Sequence, residues 1–291
     1  MAEILKIKTV DNPVIALLTD FGDEDFFVAS LKGVIAGINP LARTIDITHR
    51  IPSFDTAAAS FVLFAACSYF PPKSVFLVVV DPGVGSGRKI LLVETARYFF
   101  IAPDNGVLSL VLENEQVVQA REITNSEYFL SDISRTFEGR DKMAPVAAWL
   151  TTGIPCEKFG AEITSFKRER GTMPEVRGKD VIGSILYIDK FGNVITDIPA
   201  KMIEGIVPQP IGRSVALKFR RRNTGGFDPM KSYTVVVRKT YDTADKGDLL
   251  ILTGSLGLLE LAVKEDSAAD RLGIRADDGI TLSFLSVESN V

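Results

Sequence analysis

The sequence predicts an N-terminal α/β domain with a mostly parallel sheet, followed by a smaller all-β domain. In the first part of the chain, short apolar runs typical of buried strands alternate with helical patterns, which indicates parallel strands covered by helices. At 161–180 the composition becomes charged and includes Pro174 and Gly178, as is typical of a linker. Beyond it, short alternating strands separated by turns favour a small barrel or sandwich. We therefore expect domains at residues 1–170 and 171–291.

The individual elements follow from apolar spacing and from start and stop signals. Continuous apolar runs suit strands that are buried on both faces. Asp55 is placed to cap an alanine-rich helix, and Asn39-Pro40 ends the helix before it. The predicted N-terminal elements are strands at 14–18, 44–48, 75–80, 89–94 and 98–102 and helices at 25–37, 56–69, 107–113 and 142–152. The predicted C-terminal strands are at 181–188, 215–219, 232–237, 248–252 and 280–287.

Composition argues against several classes of function. Hydrophobic residues make up 46% and charged residues 24% of the 291 residues, which is ordinary for a globular protein, and the net charge of −4 argues against a nucleic-acid partner. The single histidine, His49, removes any multi-histidine metal site, and Cys67 and Cys156 cannot build a disulfide framework. The N-terminal stretch lacks the pattern of a cleavable signal, and no apolar run approaches the ~20 residues of a membrane span. We expect a cytoplasmic protein with no membrane partner, and Cys67 as a small core residue.

The most informative segment joins a buried strand to a glycine-rich loop. After the apolar run 75–80 the chain reads DPGVGSGR, with Asp81 opening the loop and Arg88 closing it. Glycines let the backbone approach a ligand closely, and ligands of open α/β sheets lie beyond the carboxyl ends of the strands. The charged pair therefore indicates a site, with a salt bridge that merely stabilises the loop as the alternative.

Other predicted strand ends in this domain also carry polar residues, namely Asp20, His49, Asp104 and Asn105. Burying several carboxylates is costly unless they are paired or meet a cationic ligand. The pattern favours a polar or positively charged small molecule as the ligand. For His49, the simpler interpretation is a hydrogen bond that ties its strand end to a neighbour.

In the C-terminal part, the segment DKFGN presents Asp189 and Asn193 on either side of an aromatic-glycine turn. A carboxylate and an amide together suit the recognition of a base or an amino acid. The alternative is a β-turn in which these side chains bind their own backbone. The sequence favours neither interpretation.

Many short motifs occur in one order along nearly the whole chain. They read TDFG, KGVI, INP, DITH, DPGVGS followed by Arg, APDNGVLS, TFEGRD followed by APVAA, and IDKFGNVITDI. This set resembles the S-adenosylmethionine (SAM) hydroxide adenosyltransferases, which are related to the SAM-dependent fluorinase and chlorinase. The resemblance implies a SAM-binding catalytic α/β domain, a C-terminal β-barrel that completes the site, and a homotrimer with SAM bound between adjacent subunits.

The resemblance also implies the reaction, which is hydrolysis of SAM to adenosine and methionine by attack of water or hydroxide at C5′. SAM is then the substrate, and no cofactor or metal is implied. One alternative is a protein that binds SAM or adenosine without turnover, and another is a halogenase. Halogenation is disfavoured because the chain keeps Asp81 and Arg88, and because only a tight turn separates Thr95 from Tyr98 where fluorinases carry an insertion.

Substrate contacts in the N-terminal domain are implied for three residues. Asp20 matches the carboxylate that holds the ribose hydroxyls. Phe54 stands where an aromatic residue lines the pocket near the sulfonium and C5′. Phe137, in the TFEGRD motif, is also predicted to bind substrate.

Substrate contacts in the C-terminal domain are implied for three more. Asp189 and Asn193 match the residues that engage the methionine amino group and the adenine. Ser255 matches a serine that contacts the methionine carboxylate. The asparagine that precedes this serine in the family is replaced by Gly254, so the resemblance does not extend to that part of the contact.

The hydrolases of this family use an Asp-Arg-His set, of which this chain retains two members. Asp81 and Arg88 match the first two, and Glu138 stands where the hydrolases have the histidine. We hypothesise that Glu138 replaces the histidine as the base that orients water. Repulsion from Asp81 is expected to raise the pKa of one of the two carboxyls, and Arg88 and Arg140 are expected to oppose that shift.

Overall fold

The computed structural model of the protein describes residues 13–134, 136–169, 173–223 and 226–284. The chain divides into two compact units, Met1–Glu169 and Arg170–Val291. Each unit has a hydrophobic core of its own. Within the described ranges, no helix combines the length and the apolar character needed to cross a membrane.

The N-terminal unit is built on a six-stranded, mostly parallel sheet, which confirms the predicted fold class. Its strands are β1 (Val14–Thr19), β2 (Arg43–Thr48), β3 (Val75–Val79), β4 (Ile90–Thr95), β5 (Phe99–Pro103) and β6 (Val117–Glu122). They lie in the order β2-β1-β3-β5-β4-β6. β1 is parallel to β2 and β3, and β3 is parallel to β5, whereas β4 is antiparallel to β5 and β6. The carboxyl ends of β1, β2 and β3 therefore meet at one edge of the sheet.

Helices of this unit are α1 (Phe27–Ile38), α2 (Thr56–Cys67), α3 (Val111–Asn114) and α4 (Ala144–Thr151). Shorter 3-10 turns lie at Ser126–Tyr128 and Cys156–Lys158, and a π-helical turn at Gly139–Met143 precedes α4. Asp55 caps α2 as predicted, because its Oδ1 accepts a hydrogen bond from Ala58 N at 2.9 Å. The helix predicted at 107–113 is shorter than expected, and the helix predicted at 142–152 begins with the π-helical turn.

Both faces of the sheet are buried, which accounts for its continuous apolar strands. On one face, Leu17 and Leu77 belong to the same core as residues of α1 and α4. On the other face, the Phe76 ring lies 5.3 Å from that of Tyr98 and 5.1 Å from that of Phe100, measured between centroids. β6 is an edge strand that pairs with β4, and its mostly half-buried residues lack the apolar run that predicts the other strands.

Both cysteines lie in the core of this unit. Burial raises the pKa of the Cys67 thiol to about 11 and that of the Cys156 thiol to about 12. Thiols with such pKa values are poor nucleophiles at neutral pH. The prediction that Cys67 is a core residue is confirmed.

The C-terminal unit is a closed β-barrel, as the resemblance implies. Its strands are β7 (Glu175–Arg177), β8 (Asp180–Ile188), β9 (Val194–Pro199), β10 (Ser214–Asn223), β11 (Gly226–Val237), β12 (Leu249–Thr253), β13 (Leu258–Val263) and β14 (Gly279–Phe284). Seven of them follow the order β14-β10-β11-β12-β13-β9-β8, and β14 also pairs with β8. β7 is attached to β8 outside this ring. Closure of the ring excludes the sandwich.

The sequence predicts β8, β10, β11, β12 and β14 but not β7, β9 or β13. β9 alternates buried and half-buried residues as a strand should, but it directly follows the DKFGN turn and is therefore easily taken as part of it. The last predicted strand, 280–287, corresponds to β14, and residues 285–287 lie outside the described residues. Two helices complete the unit, α5 (Ala200–Glu204) and α6 (Ala268–Leu272).

Replacing Phe76 by alanine should destabilise the N-terminal unit by about 3–5 kcal/mol, because it removes a fully buried ring and leaves a cavity. Chemical unfolding followed by the fluorescence of Trp149, the single tryptophan of the chain, measures this unit. Tyr69→Ala removes a ring that is 76% exposed and is the matched control, with an expected change below about 0.5 kcal/mol. Equal changes in the two variants would contradict the packing described for Phe76.

Candidate functional site

The glycine-rich loop after β3 places Asp81 and Arg88 in direct contact. Asp81 Oδ2 and Arg88 Nη2 form an ion pair, and Asp81 Oδ1 accepts a hydrogen bond from Gly83 N at 3.0 Å. The Asp81 side chain is 7% exposed and the Arg88 side chain 10% exposed. Desolvating two charges to this degree is costly. Because an ion pair buried so deeply adds little net stability to a loop, its presence favours a functional site over a salt bridge that merely stabilises the loop.

Glu138 joins the pair from the TFEGRD motif. Its Oε2 accepts a hydrogen bond from Arg88 Nη2 at 2.6 Å, and its Oε1 accepts one from Lys142 Nζ at 2.5 Å. The structure thus brings together the three residues predicted to be catalytic, with one guanidinium between two carboxylates. Arg88 Nη1 lies 3.4 Å from Lys89 O, and Arg88 Nε is buried without a hydrogen-bond partner among the described residues.

The surrounding charges lower the pKa of Glu138. Burial by itself raises this pKa, but the hydrogen bond from Lys142 and the positive charges of Arg88 and Lys142 outweigh burial, so the pKa lies below its ordinary value. For Glu138, the expectation of a pKa raised by Asp81 is therefore wrong, because the Arg88 guanidinium lies between the two carboxylates. Arg140 plays no part in this, since it pairs with Asp141.

A close backbone approach brings the TFEGRD motif to the loop. Gly139 begins the π-helical turn, and a Cβ atom on this residue would lie 2.8 Å from Val79 Cγ1. Glycine therefore lets the turn pack against the end of β3, where Asp81 follows. π-helical turns are rare and often occur at functional sites.

Asp20 and Phe54, two of the predicted substrate contacts, also lie together. Asp20 follows β1, and its Oδ2 accepts a hydrogen bond from Phe54 N at 2.9 Å. Phe54 has a φ of +68° and is 67% exposed. A bulky residue in the left-handed region is strained and persists where its surroundings hold it there. Asp20 thus fixes the backbone that presents an exposed aromatic ring just before α2.

The remaining polar residues at the strand ends have structural partners. Thr19 Oγ1 and His49 Nδ1 share a hydrogen bond of 2.9 Å, which ties the end of β2 to β1 and confirms the simpler interpretation of His49. Asn105 Nδ2 donates to Val80 O at 2.9 Å, and Asp104 Oδ1 accepts a backbone hydrogen bond at 2.7 Å. These contacts stabilise the edge of the sheet from which Asp81 projects.

Phe137 packs within an aromatic cluster. Its ring centroid lies 5.7 Å from that of Phe21 and 5.4 Å from that of Phe27, both in edge-to-face geometry. The guanidinium of Arg140 lies over the same ring at 4.8 Å, and Phe137 is 8% exposed. The ring therefore anchors the TFEGRD motif to α1, and its contact with substrate stays a prediction.

In the barrel, Asp189 caps the DKFGN turn. Its Oδ1 accepts hydrogen bonds from Phe191 N at 2.8 Å and from Asn193 N at 2.9 Å, and its Oδ2 accepts one from Asn193 Nδ2 at 2.9 Å. This is the self-capped turn that the sequence offered as the alternative. It also holds a carboxylate and an amide side by side next to the exposed Phe191 ring, so the predicted substrate contact remains compatible with it.

Tyr241 and Glu260 add a second carboxylate to this end of the barrel. Tyr241 Oη donates a hydrogen bond to Glu260 Oε1. Burial and the negative charge of Asp189 raise the pKa of Glu260 in spite of that hydrogen bond. Burial, the hydrogen bond to Glu260 and the charge of Asp189 raise the pKa of Tyr241. An open cavity of about 540 Å³ lies here, lined by Phe191, Asn193, Tyr241 and residues 263–267.

Ser255 lies exposed in the turn between β12 and β13. Gly254 N donates to Leu258 O at 2.8 Å and closes this turn. A Cβ atom on Gly254 would lie 2.7 Å from Glu260 Oε2. The Glu260 carboxylate therefore occupies the space that an asparagine at position 254 would need.

Sequence reasoning missed Lys142, Tyr241 and Glu260. Lys142 follows Glu138 by four residues, a spacing at which glutamate and lysine meet on a helix, so this signal was available in TFEGRDK. Tyr241 and Glu260 are 19 residues apart and meet through the fold of the barrel. No local pattern predicts such a contact.

The chain matches the SAM hydroxide adenosyltransferase N-terminal domain at residues 15–160 and the SAM hydroxide adenosyltransferase C-terminal domain at residues 183–281. The (R)-S-adenosyl-L-methionine hydrolase of Salinispora tropica is 34% identical over 93% of this chain and 98% of its own length. A fluorinase of Actinoplanes sp. is 25% identical over 94% of this chain and 98% of its own length.

The crystal structure of an uncharacterized conserved protein from Thermotoga maritima matches with a TM-score of 0.84 and 39% identity, covering 92% of this chain and 99% of that one. The sequence matches extend over both units and include the loop of Asp81 and Arg88 as well as the TFEGRD motif. The chain therefore belongs to the SAM hydroxide adenosyltransferase family.

Proposed function

We propose that the protein hydrolyses S-adenosyl-L-methionine to adenosine and L-methionine. The observation that carries the proposal is the buried cluster in which Arg88 lies between Asp81 and Glu138 beyond the carboxyl end of β3. The similarity to the hydrolase of Salinispora tropica supports the same reaction.

In the proposed reaction, the oxygen of water or hydroxide attacks C5′ on the side opposite the sulfonium. The new C–O bond forms as the C–S bond breaks, and the bonding pair returns to sulfur, which leaves as the neutral thioether of methionine. When water is the nucleophile, one proton is released. The sulfonium is already an activated leaving group, so positioning of the nucleophile and exclusion of bulk water are the main contributions required of the protein. We propose no resident cofactor or metal, with SAM consumed as substrate.

We propose that Asp81 accepts the proton and that Arg88 orients the nucleophile. Asp81 is bound by one cation and one backbone amide, whereas both oxygens of Glu138 are held by cations. The lowered pKa of Glu138 weakens it as a proton acceptor. Arg88 Nε is buried and has no hydrogen-bond partner among the described residues, so it is available to a water or hydroxide. Glu138 then acts through Arg88.

The substrate contacts proposed in the N-terminal unit are Asp20 for the ribose hydroxyls, with Phe54 and Phe137 near the sulfonium. The Asp20 carboxylate beside an exposed aromatic ring supports the first two. For the barrel we propose that Asp189 and Asn193 engage the methionine amino group and the adenine, and that Ser255 engages the methionine carboxylate. The negative charges of Asp189 and Glu260 next to an open cavity support binding of a cationic ligand there.

We further propose that the protein is a cytoplasmic homotrimer with its site at the subunit interface. The trimer and its interface site rest on the resemblance to the family. Size-exclusion chromatography with light scattering measures the oligomeric state, and a monomer or dimer that turns over SAM would contradict the trimer.

Binding without turnover is the second candidate function. The saturated ion pairs of Glu138 favour it, because no histidine is present at that position to take a proton. Halogenation has less support, since Asp81 and Arg88 form a buried ion pair and Thr95 N donates to Tyr98 O at 2.8 Å across a tight turn.

Asp81→Asn should lower kcat for adenosine formation from SAM on the order of 10²–10⁴-fold, because the amide cannot accept the proton and no longer pairs with Arg88. Adenosine and methionine are followed by liquid chromatography with mass detection, and SAM binding by calorimetry confirms that the variant is folded. Wild-type protein that binds SAM tightly without releasing adenosine would establish the binding protein instead. Equal turnover by both proteins would exclude Asp81 as the acceptor.

Glu138→Gln separates two roles for this residue. If Glu138 acts through Arg88, kcat should fall by about tenfold, which is less than in Asp81→Asn, since Arg88 keeps one carboxylate partner. A loss as large as that of Asp81→Asn would show instead that Glu138 is the base. Unchanged turnover would exclude any role. The same product assay compares the two variants at equal folded concentration.

A further inference from the structure

We propose that Lys142 is a positioning residue of this site, whose ammonium group holds one oxygen of Glu138 so that the other oxygen stays on Arg88. Lys142 itself need not touch the substrate. The inference rests on the proposed hydrolysis and deepens it, because it explains how a glutamate can stand where related hydrolases have a histidine.

The contacts form an unbroken chain of ion pairs. Lys142 Nζ lies 2.5 Å from Glu138 Oε1, Glu138 Oε2 lies 2.6 Å from Arg88 Nη2, and the same Nη2 pairs with Asp81. The Lys142 side chain is 24% exposed and the Glu138 side chain 11% exposed, so the lysine reaches inward from the protein surface. In this series of ion pairs, Lys142 orients Glu138, and Glu138 in turn orients Arg88.

The charges of this cluster balance. Asp81 and Glu138 contribute two negative charges, and Arg88 and Lys142 contribute two positive charges. The neighbouring charges from the same turn, Arg140 and Asp141, neutralise each other. Removing Lys142 would leave one uncompensated buried negative charge, which is relieved by protonation of Glu138 or by a shift of Arg88 toward Glu138 and away from Asp81.

A lysine that served only to stabilise the helix would have a different effect. Such pairs at four-residue spacing stabilise a helix slightly and act on the unfolding equilibrium. A lysine that sets the charge of Glu138 acts on the pH dependence of the reaction as well. The two roles are therefore separable by kinetics.

The test compares the wild type, Lys142→Met and Lys142→Arg over a range of pH. In Lys142→Met, kcat should fall about tenfold or more while KM for SAM changes less than about twofold, since the reacting groups and not the substrate are displaced. The acid limb of the kcat profile should move to higher pH, because Glu138 loses the cation that keeps it ionised. Lys142→Arg restores the charge and should recover most of the activity.

The matched control is Lys73→Met. Lys73 also pairs with a carboxylate, with its Nζ 3.9 Å from Glu94 Oε1, but it precedes β3 whereas Asp81 follows it. This variant should leave kcat and its pH profile unchanged.

Introducing Lys142→Met into Glu138→Gln should cost little further activity, because the group that Lys142 positions is already neutral. A full additional loss in the double variant would overturn the inference.

A measurement independent of turnover keeps the inference separate from the proposed function. Because the folded-state pKa of Glu138 is lowered, its stabilising contribution is present above its unfolded pKa and is lost as pH falls through the folded value. Lys142→Met should therefore reduce Tm most near neutral pH, and the difference from wild type should shrink as the solution becomes acidic. A pH-independent difference would overturn the inference even if the protein hydrolyses SAM. If the Tm difference shrinks in acid as expected but the protein releases no adenosine, the proposed function is contradicted and the positioning of Glu138 by Lys142 is not.

Discussion

The guanidinium of Arg88 donates through a single nitrogen to two carboxylates from distant parts of the chain. Asp81 lies just after β3, and Glu138 directly precedes the π-helical turn. Without the guanidinium, two buried carboxylates would face each other, which is strongly unfavourable in a region with little solvent. The contact therefore holds the glycine-rich loop and the TFEGRD motif together, while Gly139 provides the room for their approach.

Charge balance explains how this chain accommodates the change from histidine to glutamate that the family resemblance reveals. A neutral histidine beside Asp81 and Arg88 leaves one negative and one positive charge. Glutamate adds a second negative charge, and Lys142, one helical turn further on, adds the second positive charge. The net charge of the cluster is thus kept while the imidazole is exchanged for an ion pair between Glu138 and Lys142. Glu138 is best understood together with Lys142 and not as a substitute for the imidazole.

Much of this arrangement was predictable from sequence, for physical reasons. Strands β1, β3, β4 and β5 are mostly buried, so their apolar runs are unmistakable, and a carboxylate follows each of β1, β3 and β5 within two residues. Edge strand β6 is half-exposed and lacks that signal. The direction of the Glu138 pKa shift could not be predicted, because it depends on which cation reaches each oxygen. The contact between Tyr241 and Glu260 forms only when β13 is in place, and no local pattern encodes it.

The negative charges in the barrel, unlike those of the Arg88 cluster, are not balanced by neighbouring cations in the described part of the chain. Neither Asp189 nor Glu260 forms an ion pair with a lysine or arginine in the part of the chain that is described, and burial together with the charge of Asp189 raises the pKa of Glu260. A ligand with positive charge would relieve this repulsion, and SAM carries both an ammonium and a sulfonium. Hydrolysis converts the sulfonium to a neutral thioether, so the products carry one positive charge less than the substrate. Under the proposed reaction, an acidic site therefore binds substrate more strongly than products, which favours their release after each turnover.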